Sequence, residues 1–372
     1  ELGGELWIFD IKKQKAKKIP VQIMADAEER RPHWKKVNKY VTDIHCSPKA
    51  KRALVVARGE IFSVPRKHGS IRNLTKNCGA RDKSAVWSPD GKKIAYLSDK
   101  NGEYDIYVID LEKNRQVVKL TQSTKGYKHT LRWSPDSKKI AFTDETLHCY
   151  YLNIATKKIT KVDRAYFENI DVALESKPIS DFSWSPDSCY IAYSKMTKDL
   201  VYQNFIYSLK TGKSICVSNG LFHDSNPVFS KDGKYLFFIS NRHFDPTFCD
   251  LEWQMVYKNM AGIYCLYLQK DTKSICPFNS DEVKFAKNKK AEEKSKKIIN
   301  FEGIRERIEA LPLPRGNYRR LSVNDSSIFY LNKDKGDFNR FEFRAIGKMN
   351  LYSFSLKKQK NHTVIKSIDT YK

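Results

Sequence analysis

Three times the chain writes Trp-Ser-Pro-Asp followed by a small residue, at Trp87–Gly91, Trp133–Ser137 and Trp184–Ser188. Each copy runs on into an alternating apolar stretch: Ile94-Ala95-Tyr96, Ile140-Ala141-Phe142 and Ile191-Ala192-Tyr193. Degenerate copies flank the series, Cys46-Ser47-Pro48-Lys49 on one side and Phe229-Ser230-Lys231-Asp232-Gly233 on the other. The repeated serines stand 41, 46, 51 and 45 residues apart. A strand-bearing period of about 40–50 residues belongs to propeller blades, units that cannot bury both faces alone and therefore stack around an axis.

The phrase itself is turn chemistry. Proline presets φ at the second position of a turn, and Asp and Gly tolerate the backbone that closes a hairpin. Within a unit the order is apolar strand, Ser-Pro-Asp turn, apolar strand, loop, a strand such as Asp105–Asp110, a turn and a fourth strand such as Gln116–Thr121. The expected fold class is all-β, a β-propeller of four-stranded blades with about six blades present, part of a seven-bladed propeller.

Residues 1–23 read as the last hairpin of a preceding propeller and residues 24–39 as a linker. Residues 40–372 read as the propeller, truncated at its C-terminal end. Units are expected near 40–75, 82–121, 128–162, 178–218 and 224–278, and a sixth is expected to contain Asn317–Leu321, Ser327–Leu331, Asn350–Phe354 and His362–Ile365. Between the fifth and sixth, the lysine-rich stretch 279–298 reads as a charged loop insertion. With no initial Met and a strand already at Leu6–Ile11, the chain reads as a piece of a longer protein.

Composition narrows the function classes. The 372 residues fit one propeller body, and the start carries neither the apolar core of a signal peptide nor, anywhere, the ~20-residue apolar run of a membrane span. Eight cysteines are scattered without Cys-x-x-Cys or zinc spacing, which points to reduced thiols, no metal, no cofactor and a cytoplasmic home. The net charge of +25 raises the question of nucleic acid. Its lysines sit mainly in turns, as at Lys138-Lys139 and Lys157-Lys158, which makes a solvated rim rather than a binding stripe.

No catalytic motif appears. Gly-x-Ser-x-Gly and His-Glu-x-x-His are both absent, and Thr211-Gly212-Lys213-Ser214 lacks the preceding glycine of a phosphate loop and reads as a hairpin turn. Two phrases fall outside the blade period, the aromatic-rich Ser240–Met260 and Phe301–Tyr318. Loops of that length tend to be functional, with local packing over blade edges as the alternative.

In these phrases the chain resembles the tricorn protease family. The likeness runs through Gly4–Asp10, Arg31–Trp34 with Val37–Tyr40, Ala57–Phe62, Ser240–Arg242 and Ile304–Tyr318. It implies the end of the family's six-bladed propeller followed by its seven-bladed one. It also implies a non-catalytic portion of a cytosolic serine protease that degrades oligopeptides, acting as a substrate-access channel or filter. The family's serine nucleophile, histidine, second serine and glutamate lie beyond the propellers beside a PDZ-like domain, and no catalytic residue can be assigned in this chain. Implied partners are peptide substrates, those downstream domains and further copies of the full-length protein. On this reading Asp43, Ser84, Thr130, Asp181 and Ser225 are candidate channel-lining residues, with blade-core hydrogen bonding as their alternative role. Arg58, Arg132 and Arg242 are candidates to meet peptide carboxylates, since guanidinium forks suit that group. A freestanding TolB-like propeller serving as an interaction scaffold is the competing reading.

Overall fold

The structure, a computed structural model, describes residues 5–22, 24, 35–77, 79–121, 126–165, 179, 181–199, 201–244, 246–249, 254–257, 259–277, 299–333 and 348–371. Two compact units separate at Lys39 and Tyr40. The first holds one antiparallel hairpin, β1 (Trp7–Asp10) with β2 (Lys15–Lys18). Most of the expected linker, the Arg31–Trp34 phrase and the charged stretch 279–298 lie outside the described residues.

The second unit is a six-bladed propeller of four-stranded antiparallel blades. Blade 1 comprises β3 (Val41–Cys46), β4 (Arg52–Ala57), β5 (Glu60–Pro65) and β6 (Arg72–Asn73). Blade 2 comprises β7 (Asp82–Trp87), β8 (Lys93–Ser98), β9 (Asp105–Asp110) and β10 (Gln116–Lys119). Blade 3 comprises β11 (Lys128–Trp133), β12 (Lys139–Asp144), β13 (His148–Asn153) and β14 (Ile159–Arg164). Blade 4 comprises β15 (Phe182–Trp184), β16 (Tyr190–Met196), β17 (Tyr202–Ser208) and β18 (Lys213–Cys216). Blade 5 comprises β19 (Asp224–Phe229), β20 (Tyr235–Ser240), β23 (Gly262–Tyr267) and β24 (Ile308–Ala310), with a side hairpin of β21 (Pro246–Cys249) and β22 (Gln254–Tyr257). Blade 6 comprises β25 (Tyr318–Val323), β26 (Ser327–Asn332), β27 (Met349–Ser355) and β28 (Lys360–Ile368).

Blade 5 departs from the sequence reading. Its fourth strand is Ile308–Ala310, which pairs with Tyr264–Leu266, so the charged stretch interrupts blade 5 instead of separating it from blade 6. Part of the Phe301–Tyr318 phrase is therefore a blade edge.

The turn phrase does the same work in four blades. The hydroxyl of Ser88, Ser134, Ser185 and Ser230 donates to the Asp two residues on. It also accepts from the backbone N–H that opens the second strand, at Lys93, Lys139, Tyr190 and Tyr235, at 2.9–3.0 Å. The Asp in turn accepts the N–H two residues further on, a local bond that competes with extended backbone and closes the turn. The last position needs positive φ, and Gly91 and Gly233 supply it at 75° and 69°. Ser137 and Ser188 adopt 57° and 60° instead. Each accepts a 3.1 Å hydrogen bond from the preceding blade's turn, Asp90 N to Ser137 Oγ and Asp136 N to Ser188 Oγ, which offsets the strain of a side chain there.

The apolar repeat is explained by the seams between blades. Successive residues on a strand point to opposite faces, and both faces of a blade meet neighbours. Ile94 and Tyr96 pack toward blade 1 with Leu54, Val56 and Trp87, while Ala95 and Leu97 pack toward blade 3. Ile140 and Phe142 fill that second seam and Ala141 turns to blade 4; Ile191 and Tyr193 face blade 3 and Ala192 faces blade 5. Large residues thus reach back and the small alanine receives the next blade. Blades 5 and 6 share Phe237, Ile239, Cys265, Ile328, Tyr330 and Phe354. On the far side of blade 6, among the described residues, Leu331, Met349 and Leu351 form a small cluster, and on β3 of blade 1 Val41 and Ile44 are 39% and 49% exposed.

Candidate functional site at the propeller axis

The innermost strands β3, β7, β11, β15, β19 and β25 line the axis. Four of them bulge at the same place. Register shifts fall between Lys83 and Val86, His129 and Arg132, Ser225 and Val228, and Arg319 and Ser322. Each bulge holds a non-glycine residue at positive φ: Ser84 at 52°, Thr130 at 35°, Asn226 at 53° and Arg320 at 52°. All four stand four residues before the turn that ends their strand, as Asp43 and Asp181 do in blades 1 and 4. A bulge re-aims side chains and leaves its extra residue outside the ladder. Its repetition sets Ser84, Thr130, Asn226 and Arg320 at one level of their strands, and Asp43 and Asp181 stand at the equivalent sequence position in blades 1 and 4.

The predicted residues distribute as follows. Asp43, Ser84, Thr130 and Asp181 occupy these positions. Ser225 does not; it pairs with Ile239 in the ladder, and its neighbour Asn226 takes the bulge. Asn226 Nδ2 donates to Asp181 Oδ2 at 3.1 Å, linking blades 5 and 4. Close by, Ser183 Oγ donates to the Pro227 carbonyl at 2.7 Å. Asp43 Oδ1 accepts from the Ile44 N–H at 2.9 Å. Arg320 was missed because blade 6 turns through Asn324, which accepts from Ser326 N and Ser327 N and replaces the whole Ser-Pro-Asp phrase, and Asn226 was missed by one position, Ser225 having been named in its place.

Arg132 is two positions beyond its bulge on β11. Its side chain is exposed, yet burial is the foremost influence on its pKa and lowers it; Asp181 opposes that and Arg320 adds to it. The guanidinium also stands 5.2 Å from the Phe182 ring centroid. Arg132, Asp181, Asn226 and Arg320, from four consecutive blades, thus form one polar constellation.

A second set lies at the propeller end where the innermost strands begin, opposite the Ser-Pro-Asp turns. Arg58, at φ 53° in the β4–β5 turn, stands 5.6 Å from the Tyr40 ring. Lys83 Nζ lies 3.8 Å from the Tyr104 ring centroid and 3.4 Å from that of Tyr127, and burial lowers its pKa. Arg242 packs 4.3 Å from Tyr264. Arg58 and Arg242 therefore belong to the rim, and only Arg132 of the three predicted arginines belongs to the axis.

Among the described residues no cluster of three or more His, Cys, Asp or Glu could hold a metal ion, six cysteines carry free thiols, and no helix is long and apolar enough to cross a membrane. The side chains of Cys78 and Cys249 lie outside the described residues.

Fold and site together define a blade-repeat β-propeller with a polar axis. The family model for the "Tricorn protease second beta propeller domain" matches residues 41–372, and the chain belongs to that family. It is 23% identical to a "Putative Tricorn-like protease C-terminal subunit" of Sulfurisphaera tokodaii, over 95% of this chain and 38% of that protein. It is likewise 23% identical to a "Tricorn protease homolog" of Saccharolobus solfataricus, over 98% of this chain and 33% of that protein. The crystal structure of the tricorn protease superposes with a TM-score of 0.71 at 17% identity, covering 98% of this chain and 34% of that one. The chain thus spans little more than a third of these relatives.

Proposed function

We propose that this propeller is the substrate-access module of a larger, cytosolic tricorn-like serine peptidase acting on oligopeptides. The observation that supports the reading is Arg132, exposed on an innermost strand with its guanidinium 5.2 Å from the Phe182 ring centroid of the next blade. An axial space lined by bulged polar strands suits an extended chain and excludes a folded domain. Catalysis, on this reading, belongs to serine and PDZ-like domains outside the chain, and assembly to the full-length protein. The exposed face of β3 and the small cluster beyond blade 6 favour a seventh blade between them.

The test plugs the axis in the full-length parent. Arg132→Cys, labelled with a bulky thiol reagent, is compared with wild type given the same reagent. Turnover of oligopeptides falls at least tenfold in the labelled variant alone, while serine labelling by a small covalent inhibitor is unchanged. Unchanged oligopeptide turnover overturns the reading.

A further inference from the structure

The sequence scatters its lysines along the chain, but the fold collects them. In an antiparallel four-stranded blade, the turn between the first two strands and the turn between the last two lie at the same end of the sheet. Both turns of all six blades therefore share one end of the propeller, opposite the rim where the innermost strands begin. Counted with the first residue of each following strand, basic side chains outnumber acidic ones at these turns in every blade, among the described residues. Lys49, Lys113, Lys138, Lys210, Lys231 and Lys358, one on each blade in order, are all exposed. The ion pairs at this end, Lys92–Glu112, Lys93–Asp110, Lys139–Asp136 and Lys270–Glu302, involve none of the six. The bonds from Asp90 N to Ser137 and from Asp136 N to Ser188 tie the turns of blades 2, 3 and 4 into one platform.

What the face lacks defines the partner. The exposed aromatic side chains of the propeller, Tyr40, Tyr127 and Phe244, all stand at the opposite end. Protein interfaces concentrate aromatics and arginine at their centre and are poor in lysine, so a lysine face without an exposed ring makes a poor protein site. Single-stranded nucleic acid is held by stacking its bases on aromatic rings, and the described residues of this end expose none. Lysine ammonium groups are compact point charges on flexible stems. They suit the regularly spaced phosphates of a duplex, which they hold without reading its bases. The chain's net charge of +25 draws a polyanion in the same direction.

We propose that the turn end of this propeller docks double-stranded nucleic acid through its phosphate backbone, independently of base sequence. The proposal goes beyond the access reading, which concerns the axis, and neither rests on the other.

A fluorescent duplex of about 24 base pairs and arbitrary sequence is titrated into the full chain at about 50 and 200 mM salt, beside one of its single strands and a poly-glutamate of matching charge. Wild type binds the duplex tightest of the three, and the binding weakens at least tenfold between the two salts. The triple variant Lys113→Gln, Lys138→Gln, Lys210→Gln binds the duplex about tenfold more weakly at the lower salt and with a flatter salt dependence. A variant with the same loss of charge at the opposite end, Lys76→Gln, Arg81→Gln, Lys100→Gln, stays within twofold of wild type. All six substituted side chains are exposed, and the salt dependence of wild type stands as a test even if a variant fails to fold. Absence of duplex binding, binding insensitive to salt, or equal loss in both triple variants overturns the proposal. So does tighter binding of the single strand, or of poly-glutamate, which would assign the face to an acidic protein.

Discussion

Asn226 of blade 5 reaches across the axis-facing seam and donates to Asp181 of blade 4 at 3.1 Å while its own backbone sits at φ 53°. Asparagine serves both demands, since it tolerates the left-handed region and carries a donor. Asn226→Gly keeps the backbone but loses the bond, lowering stability by about 1 kcal/mol. Asn226→Val loses both and costs about 2–3 kcal/mol. Urea unfolding midpoints check this, and a valine variant no worse than the glycine one would contradict it.

The tryptophans of the repeat differ in a measurable way. Trp133 Nε1 donates to the Val86 carbonyl at 3.2 Å and Trp184 Nε1 to the Arg132 carbonyl at 3.1 Å, each bonding to the preceding blade. Trp87 Nε1 is buried without a partner. Phenylalanine at position 133 or 184 therefore costs about 1–3 kcal/mol more than at position 87, where no bond is lost. Equal costs in thermal or urea unfolding would show that the seam bonds contribute nothing.

Asp224 gives a pH dependence of defined sign. Burial raises its pKa in the folded protein, so folding favours the protonated form. The associated stability is complete below the unfolded-state value of about 4 and is lost as pH rises through the folded-state value. Asp224→Asn removes that loss: it equals wild type near pH 4 and exceeds it at pH 7. Unfolding curves at the two pH values test this, and a variant less stable at pH 7 would mean that the ionised carboxylate is stabilised in place.

Ser137 occupies a position where two other blades use glycine. Ser137→Ala retains the φ strain and loses the bond from Asp90 N, costing about 1–2 kcal/mol, whereas Ser137→Gly exchanges strain for bond and is close to neutral. A differential of that size in chemical denaturation confirms that neighbouring turns support one another.

What could be read from the sequence was whatever is encoded locally. The Ser-Pro-Asp turn satisfies its own backbone within six residues, and the Ile-Ala-aromatic run follows from the pleat, so blades 2 to 4 were visible in full. The fourth strand of blade 5 was not, because Ile308–Ala310 pairs with Tyr264–Leu266 across a long insertion that no short pattern bridges. At the axis, Asp43, Ser84, Thr130 and Asp181 could be counted back from their turns. Arg320 was hidden because its turn uses Asn324, and Asn226 was missed by one position where the bulge shifts the ladder. The contact of Arg132 with Phe182 joins residues fifty positions apart on neighbouring blades and has no local signal.

The alternation of large residues backward and alanine forward gives the molecule a direction. Blades 2 to 4 each need a successor to cover the small face and a predecessor to cover the bulky one, so cohesion passes from neighbour to neighbour as along a row of arches. Among the described residues of blade 1, Val55 is half-covered and Ile44 exposed, so this blade is packed less fully than the blades that follow. Loosening is then expected to start at this end and travel inward seam by seam, leaving blades 3 and 4, braced on both sides, as the last to part.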